Sequence, residues 1–261
     1  MKTCFSTLGC HDLPLNEILA LAEDFSVNAI EVRGIAGELD NRKITDFFLE
    51  HVEKTKDLMK QANVLPLILG TSCKFHDFQK RASMVEKACQ EVLIAQRMGF
   101  QAIRVFGNLI VGDEHQCILS VAQAIDEVCA FAHQHQVKVY LEVHGDFNTA
   151  ERLTLLIEQI HHKEDFGLIW DIYHTHSVYK EKWMDFYQAM KPYIHHVHLK
   201  DCAHHDLVLP GYGELQIVPI VQTLLKDGYN GYFSLEWERK WHPELPELKE
   251  ALKALQQLFY K

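Results

Sequence analysis

Four hydrophobic runs in this chain each carry an acidic or imidazole side chain at or near their C-terminal end. They are Glu142 in KVYLEVHGD, Asp171 in FGLIWDIYH, His198 in IHHVHLKD and Glu236 in GYFSLEWER. Each run reads as a strand. In a parallel β/α barrel the C-terminal strand ends meet on one face, where active sites lie. Two Glu, one Asp and one His meeting there form a ligand set for one divalent metal ion. Mn²⁺, Mg²⁺ and Co²⁺ suit three carboxylates and an imidazole, with positions left for water or substrate oxygens. Zn²⁺, which favours more nitrogen or sulfur, ranks lower. Such a centre suits a sugar, polyol or hydroxy-carbonyl compound. The ion polarises a carbonyl and stabilises an enediolate, while one carboxylate removes the α-proton and another returns it. Glu142 and Glu236 are the natural acid/base pair. His174, three residues past Asp171 where the strand is expected to become a loop, can meet a substrate hydroxyl. The competing reading is an interior charge network in which Glu142 and Glu236 pair only with Arg104 or Arg33.

The elements that must position these groups are legible as alternation. Eight short apolar runs can be counted: KTCFSTL, VNAIEVRG, VLPLILG, QAIRVFGN, KVYLEVHG, FGLIWDIYH, IHHVHLKD and GYFSLEWE. Between them lie segments of helical periodicity, among them ITDFFLEHVEKTKDLMKQA, MVEKACQEVLIAQRMG with Gly99 as its C-cap, SVAQAIDEVCAFAHQH, a short EKWMDFYQAM and ALKALQQLF. Eight strand–helix repeats favour a single (β/α)8 TIM barrel spanning residues 1–261 as one domain. Parity within the strands sets Glu31, Arg33, Arg104, Glu142, His196, His198 and Lys200 opposite the apolar residues that belong under the helices. An interior holding this much charge is costly unless its members pair or bind an ion.

Composition narrows the function classes. There are 26 Lys plus Arg against 36 Asp plus Glu, a net charge of −10. No nucleic-acid partner is expected from that balance, because phosphate binding needs clustered Lys and Arg. Seven scattered cysteines with no C-x-x-C pair suit a reducing cytosol, so a cytoplasmic protein is expected. The N-terminus MKTCFSTLGCHDLP has no signal-peptide core. No apolar run approaches the roughly 18 residues of a membrane span, so no membrane partner is expected.

Four motifs then carry a resemblance: LEVHGD with Glu142, WDIYHTH with Asp171 and His174, VHLKD with His198, Lys200 and Asp201, and PGYGELQIVPIVQTLLKDGYNGYFSLEWE with Gly211, Gly213, Glu214 and Glu236. In order and spacing they resemble the sugar phosphate isomerase/epimerase superfamily, the xylose isomerase-like barrels, along essentially the whole chain. The resemblance implies that Glu142, Asp171, His198 and Glu236 are the metal ligands, that Glu142 and Glu236 are also the acid/base pair, and that His174 contacts substrate. It implies a metal-dependent isomerase or epimerase, with a dehydratase or lyase of the inosose or dehydroshikimate type as the alternative. Homodimers and homotetramers are common in the superfamily. The segment KDCAHHDLVLPG has His204 and His205 where some epimerases carry an Arg. The apurinic-site endonucleases of the endonuclease IV type share the same ligand positions. They need further His near the ends of strands three and four, where this chain has Thr71 or Ser72 and Asn108.

His144, following Glu142 on the inward face, is a candidate substrate contact, as are Lys200 beside the carboxylates, His76 in the loop after strand three and Asn108 after strand four. His133, His135, His161 and His162 fall at helix ends and read as ordinary surface residues. Trp170 and Trp237 are expected to point toward the helices.

Overall fold

The computed structural model describes residues 1–259. Among these, residues 1–67 together with those from 196 onward make one compact unit, and residues 68–195 make a second. In the first, β1 (Lys2–Ser6) pairs in parallel with β2 (Ala29–Val32) and with β10 (Tyr232–Leu235), and β10 pairs with β7 (Ile194–Leu199). In the second, β3 (Leu65–Lys74), β4 (Ala102–Phe106), β5 (Lys138–Glu142) and β6 (Phe166–Asp171) pair in parallel in that order. The eight strands form one closed parallel barrel in the order β1-β10-β7-β6-β5-β4-β3-β2, the architecture the alternation predicts. A two-stranded hairpin of β8 (Asp201–Ala203) and β9 (Asp206–Val208) follows β7.

Register converts sequence parity into layers. Arg104 lies beside Tyr140, and Phe106 beside Glu142, so Arg104 sits one layer below the Glu142 carboxylate. Cys4 lies beside Ser234, Ser234 beside His198, and Ser6 beside Glu31. The alternate residues Val139, Leu141 and Val143 are buried with the apolar core, as are Phe233, Leu235 and Trp237. Trp170 stacks on Tyr187 at 5.7 Å and packs against Trp183 and Phe186, all on α7 (Trp183–Met190), so it faces the helices as parity requires.

Helix ends follow local chemistry, and here the sequence expectations need adjustment. Gly99 does close α3 (Arg81–Met98), with φ 84° in the left-handed region that a side chain disfavours. Asp113 caps α4 (Glu114–Gln134) by accepting from the Gln116 N–H at 2.9 Å, so that helix starts six residues before the expected Ser120. The expected helix from Ile44 is instead one 3-10 turn, Thr45–Phe47, followed by α2 (Val52–Gln61). The expected loop after Asp171 is α6 (Ile172–Tyr179), whose N-terminus is capped by Asp171 itself.

Candidate metal and substrate site

The second unit holds the candidate residues Glu142, Asp171, His144 and His174. Glu142 is the last residue of β5 and is 2% exposed. Arg104 Nη1 donates to Glu142 Oε2 at 2.7 Å, and Arg104 Nη2 donates to the Thr71 carbonyl at 3.1 Å. The Thr71 hydroxyl donates in turn to the Arg104 carbonyl at 2.7 Å. This pairing offsets the desolvation of both ions and fixes the carboxylate. Asp171 closes β6. Its Oδ1 accepts the N–H groups of Tyr173 at 2.8 Å and His174 at 3.3 Å. Capping therefore does two things at once: it starts α6, and it turns the Asp171 carboxylate and the His174 ring toward the same end of the strands, with His174 Nε2 at 4.0 Å from Oδ2.

His144 and His174 face each other at 4.1 Å between ring centroids, and His144 meets the Phe106 ring edge at 5.1 Å. Glu142, His144 and His174 bring one ligand atom each within 4.8 Å of one another. Asn108 adopts φ 74°, and its amide lies 3.4 Å from the His76 ring nitrogens. The Asn108 carbonyl accepts from Asp146 N–H at 2.8 Å. A Cβ on Gly145 would stand 2.3 Å from that carbonyl oxygen, which explains the glycine after His144. Burial pulls the His76 imidazole below its ordinary value, against the opposing charge of Asp77. His76 with Asn108, after β3 and β4, and His144 after β5 with His174 in the first turn of α6 thus form two pairs.

The first unit holds His198, Lys200 and Glu236. His198 is fully buried on β7. Its Nε2 is 3.0 Å from Glu31 Oε2, and its Nδ1 is 3.4 Å from Glu236 Oε2. Burial opposes charge on this imidazole, but Glu31 and Glu236 prevail and hold it well above the ordinary histidine range. Burial likewise opposes ionisation of Glu31, and His198 with His196 overcomes that to hold the carboxyl well below the usual range. Glu236 follows β10, where its N–H donates to the Leu199 carbonyl at 3.1 Å. Lys200, fully buried, donates to Glu236 Oε2 at 2.6 Å and also contacts Glu238.

Asp201, the neighbour of Lys200, belongs to the VHLKD motif but has no role assigned from sequence; in the structure it is a loop anchor. Its Oδ2 accepts Gly211 N–H at 2.8 Å and Gly213 N–H at 3.0 Å, and its Oδ1 accepts from Cys202 and Leu215. A Cβ at Gly213 would lie 2.3 Å from Asp201 Oδ1. The signal was the pair of glycines in PGYGEL following a buried Asp. His204 and His205 occupy the β8–β9 turn with φ 51° and 78°, as exposed turn residues. His133, His161 and His162 make surface pairs with Asp165 or Asp126.

A family profile described as xylose isomerase-like TIM barrel matches residues 19–258. The chain belongs to that family. No curated protein matches. Among solved structures, the probable 3-DHS dehydratase AsbF of Bacillus anthracis is 19% identical with a TM-score of 0.80, over 98% of this chain and 99% of that one. IOLI protein, solved with a binding zinc atom, is 18% identical with a TM-score of 0.79, over 98% and 96%. D-psicose 3-epimerase of Clostridium cellulolyticum H10, solved with D-tagatose, is 15% identical with a TM-score of 0.80, over 100% and 99%. At these identities the likeness shows the shared fold. The structures of like fold thus include one described as a probable dehydratase and one described as an epimerase. No helix among the described residues is long and apolar enough to cross a membrane.

Proposed function

We infer that the chain is a divalent-metal-dependent isomerase or epimerase of a ketose, polyol-derived or other hydroxy-carbonyl substrate. The observation that carries this reading is the ligand set itself. Glu142 and Asp171 close two parallel strands of one unit, His198 and Glu236 stand at the ends of two parallel strands of the other, and all four are buried. Three buried carboxylates with one imidazole suit a hard or borderline ion, Mn²⁺, Mg²⁺ or Co²⁺, and Zn²⁺ is supported by the zinc of the IOLI structure. A bound ion supplies Lewis acidity toward a carbonyl oxygen.

The side chains then divide the work. Glu142, paired with Arg104 at 2.7 Å, takes a proton from the carbon next to the carbonyl. Glu236, in contact with Lys200, is the partner that returns or accepts a proton on the other side. The ring nitrogens of His174 and His144 present donors to substrate hydroxyls. Asn108 and His76 close the wall beside them, and Lys200 adds a cation next to Glu236. A homodimer or homotetramer acting on a small substrate, in the cytoplasm, completes the reading.

The test is proton exchange. The Mn²⁺-loaded protein is incubated with a panel of ketoses and inososes in D₂O and followed by NMR. Deuterium entering the carbon next to the carbonyl, with an isomer or epimer appearing, supports the reading. Elimination of water from the same substrates supports the dehydratase alternative, for which the fold of AsbF is the structural parallel. Neither exchange nor elimination with any member of the panel counts against the proposed chemistry.

A further inference from the structure

Glu31 lies on β2, far in sequence from the metal-ligand candidates, and is 3% exposed. Its two oxygens are divided between two imidazoles of β7. Oε1 meets His196 Nε2, and Oε2 lies 3.0 Å from His198 Nε2. An ionised carboxylate can only accept, so each histidine donates from Nε2. That fixes which nitrogen of His198 carries hydrogen toward Glu31. The other nitrogen, Nδ1, faces Glu236 at 3.4 Å.

We propose that Glu31 is a positioning residue for the metal centre: it holds His198 as the Nε2–H tautomer, so that Nδ1 is the nitrogen presented to the ion. This rests on the metal-site reading above. A ligand histidine gains basicity and a fixed ring plane when its second nitrogen donates to a carboxylate. His196 completes the arrangement from the other side. By occupying Oε1 it leaves the Glu31 carboxylate no freedom to rotate away from His198, and its ring stands at 87° to that of His198, 5.5 Å between centroids. Cys4, whose Sγ lies within 4.8 Å of the nearest Glu31 and His196 ligand atoms, packs beneath. Burial, with the Glu31 charge adding to it, raises its thiol well above the ordinary range, so Cys4 stays a neutral filler.

The inference has two independent tests. In wild-type protein loaded with diamagnetic Zn²⁺, long-range ¹H–¹⁵N correlation spectra report the His198 tautomer without any substitution. The expected result is a proton on Nε2 and zinc on Nδ1; zinc on Nε2 overturns the inference. The second test compares Mn²⁺ affinity by calorimetry in wild type and Glu31→Gln. The glutamine keeps the shape but offers one acceptor oxygen in place of two, so affinity is expected to fall by about 10–100-fold. Equal affinity in the folded variant overturns the inference and leaves the metal site standing. Failure of the wild type to bind Zn²⁺ or Mn²⁺ overturns both, so the two failures are told apart by which protein fails.

Discussion

Arg104 Nη1 donates to Glu142 Oε2 across 2.7 Å in a place where neither side chain is more than 5% exposed. The same guanidinium holds the Thr71 carbonyl and lies 4.3 Å from the centre of the Phe106 ring. One planar cation therefore fixes the proposed base, β3 at Thr71 and the Phe106 ring together.

Removing that cation leaves a buried carboxylate with a major partner gone. Arg104→Met is expected to cost about 3–5 kcal/mol of stability, because breaking one side of a buried ion pair strands the other. Denaturant unfolding measures it. Arg104→Lys supplies charge without the planar fork, so it should recover part of the stability and little of the turnover. A neutral effect of Arg104→Met on unfolding would mean that the pair carries no net stabilisation.

Glu142→Gln keeps the shape of the side chain and its hydrogen-bonding reach. It should fold and hold some metal, while turnover falls by about 10²–10⁴, the usual worth of a general base. Turnover within a few-fold of wild type would remove Glu142 from that role.

Lys200 sits between Glu236 and Glu238. Lys200→Met leaves those carboxylates without this cation, and the metal-free protein should lose about 3–5 kcal/mol. A divalent ion at Glu236 would replace part of the missing charge. Added Mn²⁺ should then raise the Tm of the variant by more than it raises that of wild type. An equal rise in both would separate Lys200 from the metal centre.

The strand ends were legible because chemistry and parity agree there. Glu142, Asp171, His198 and Glu236 each interrupt an apolar run at its end, and the runs repeat eight times. What joins the runs was less legible. The helix after Asp171 has weak amphipathic patterning in IYHTHSVY, and it exists because the Asp171 side chain caps its own first turn. Helix-like apolar spacing in ITDFFLEH hid the 3-10 turn Thr45–Phe47 before α2. Glu31 was seen by parity as inward, but its bond to two histidines 165 and 167 residues away has no local signature. Asp201 likewise shows its role only when its four backbone donors come together in space.

Away from the site, Asp126 accepts from both His161 and His162 through backbone and side chain at 2.8–3.0 Å. Burial pushes this carboxyl up, but those donors, His162 foremost, bring it down to about 2. The ordinary aspartate value is about 3.9. A lowered folded value means that the stabilisation is fully present above the ordinary value and is lost as pH falls through about 2. With solvent screening allowed for, Asp126→Asn is expected to cost about 1 kcal/mol at pH 7. The gap from wild type should narrow toward pH 3. A gap constant with pH would assign the effect to geometry in place of charge.

The most direct measurement of the central claim is elemental analysis of the purified, tag-free protein, with divalent metal counted per chain in wild type and in Glu236→Ala. The four-ligand reading predicts one ion per chain in the wild type, from Mn, Co, Mg or Zn, and its loss in the folded variant. Two or three zinc ions per chain would point to the endonuclease branch of the family. No metal in the wild type, even after reconstitution, would contradict the account and make Glu142, Asp171, His198 and Glu236 an interior charge network.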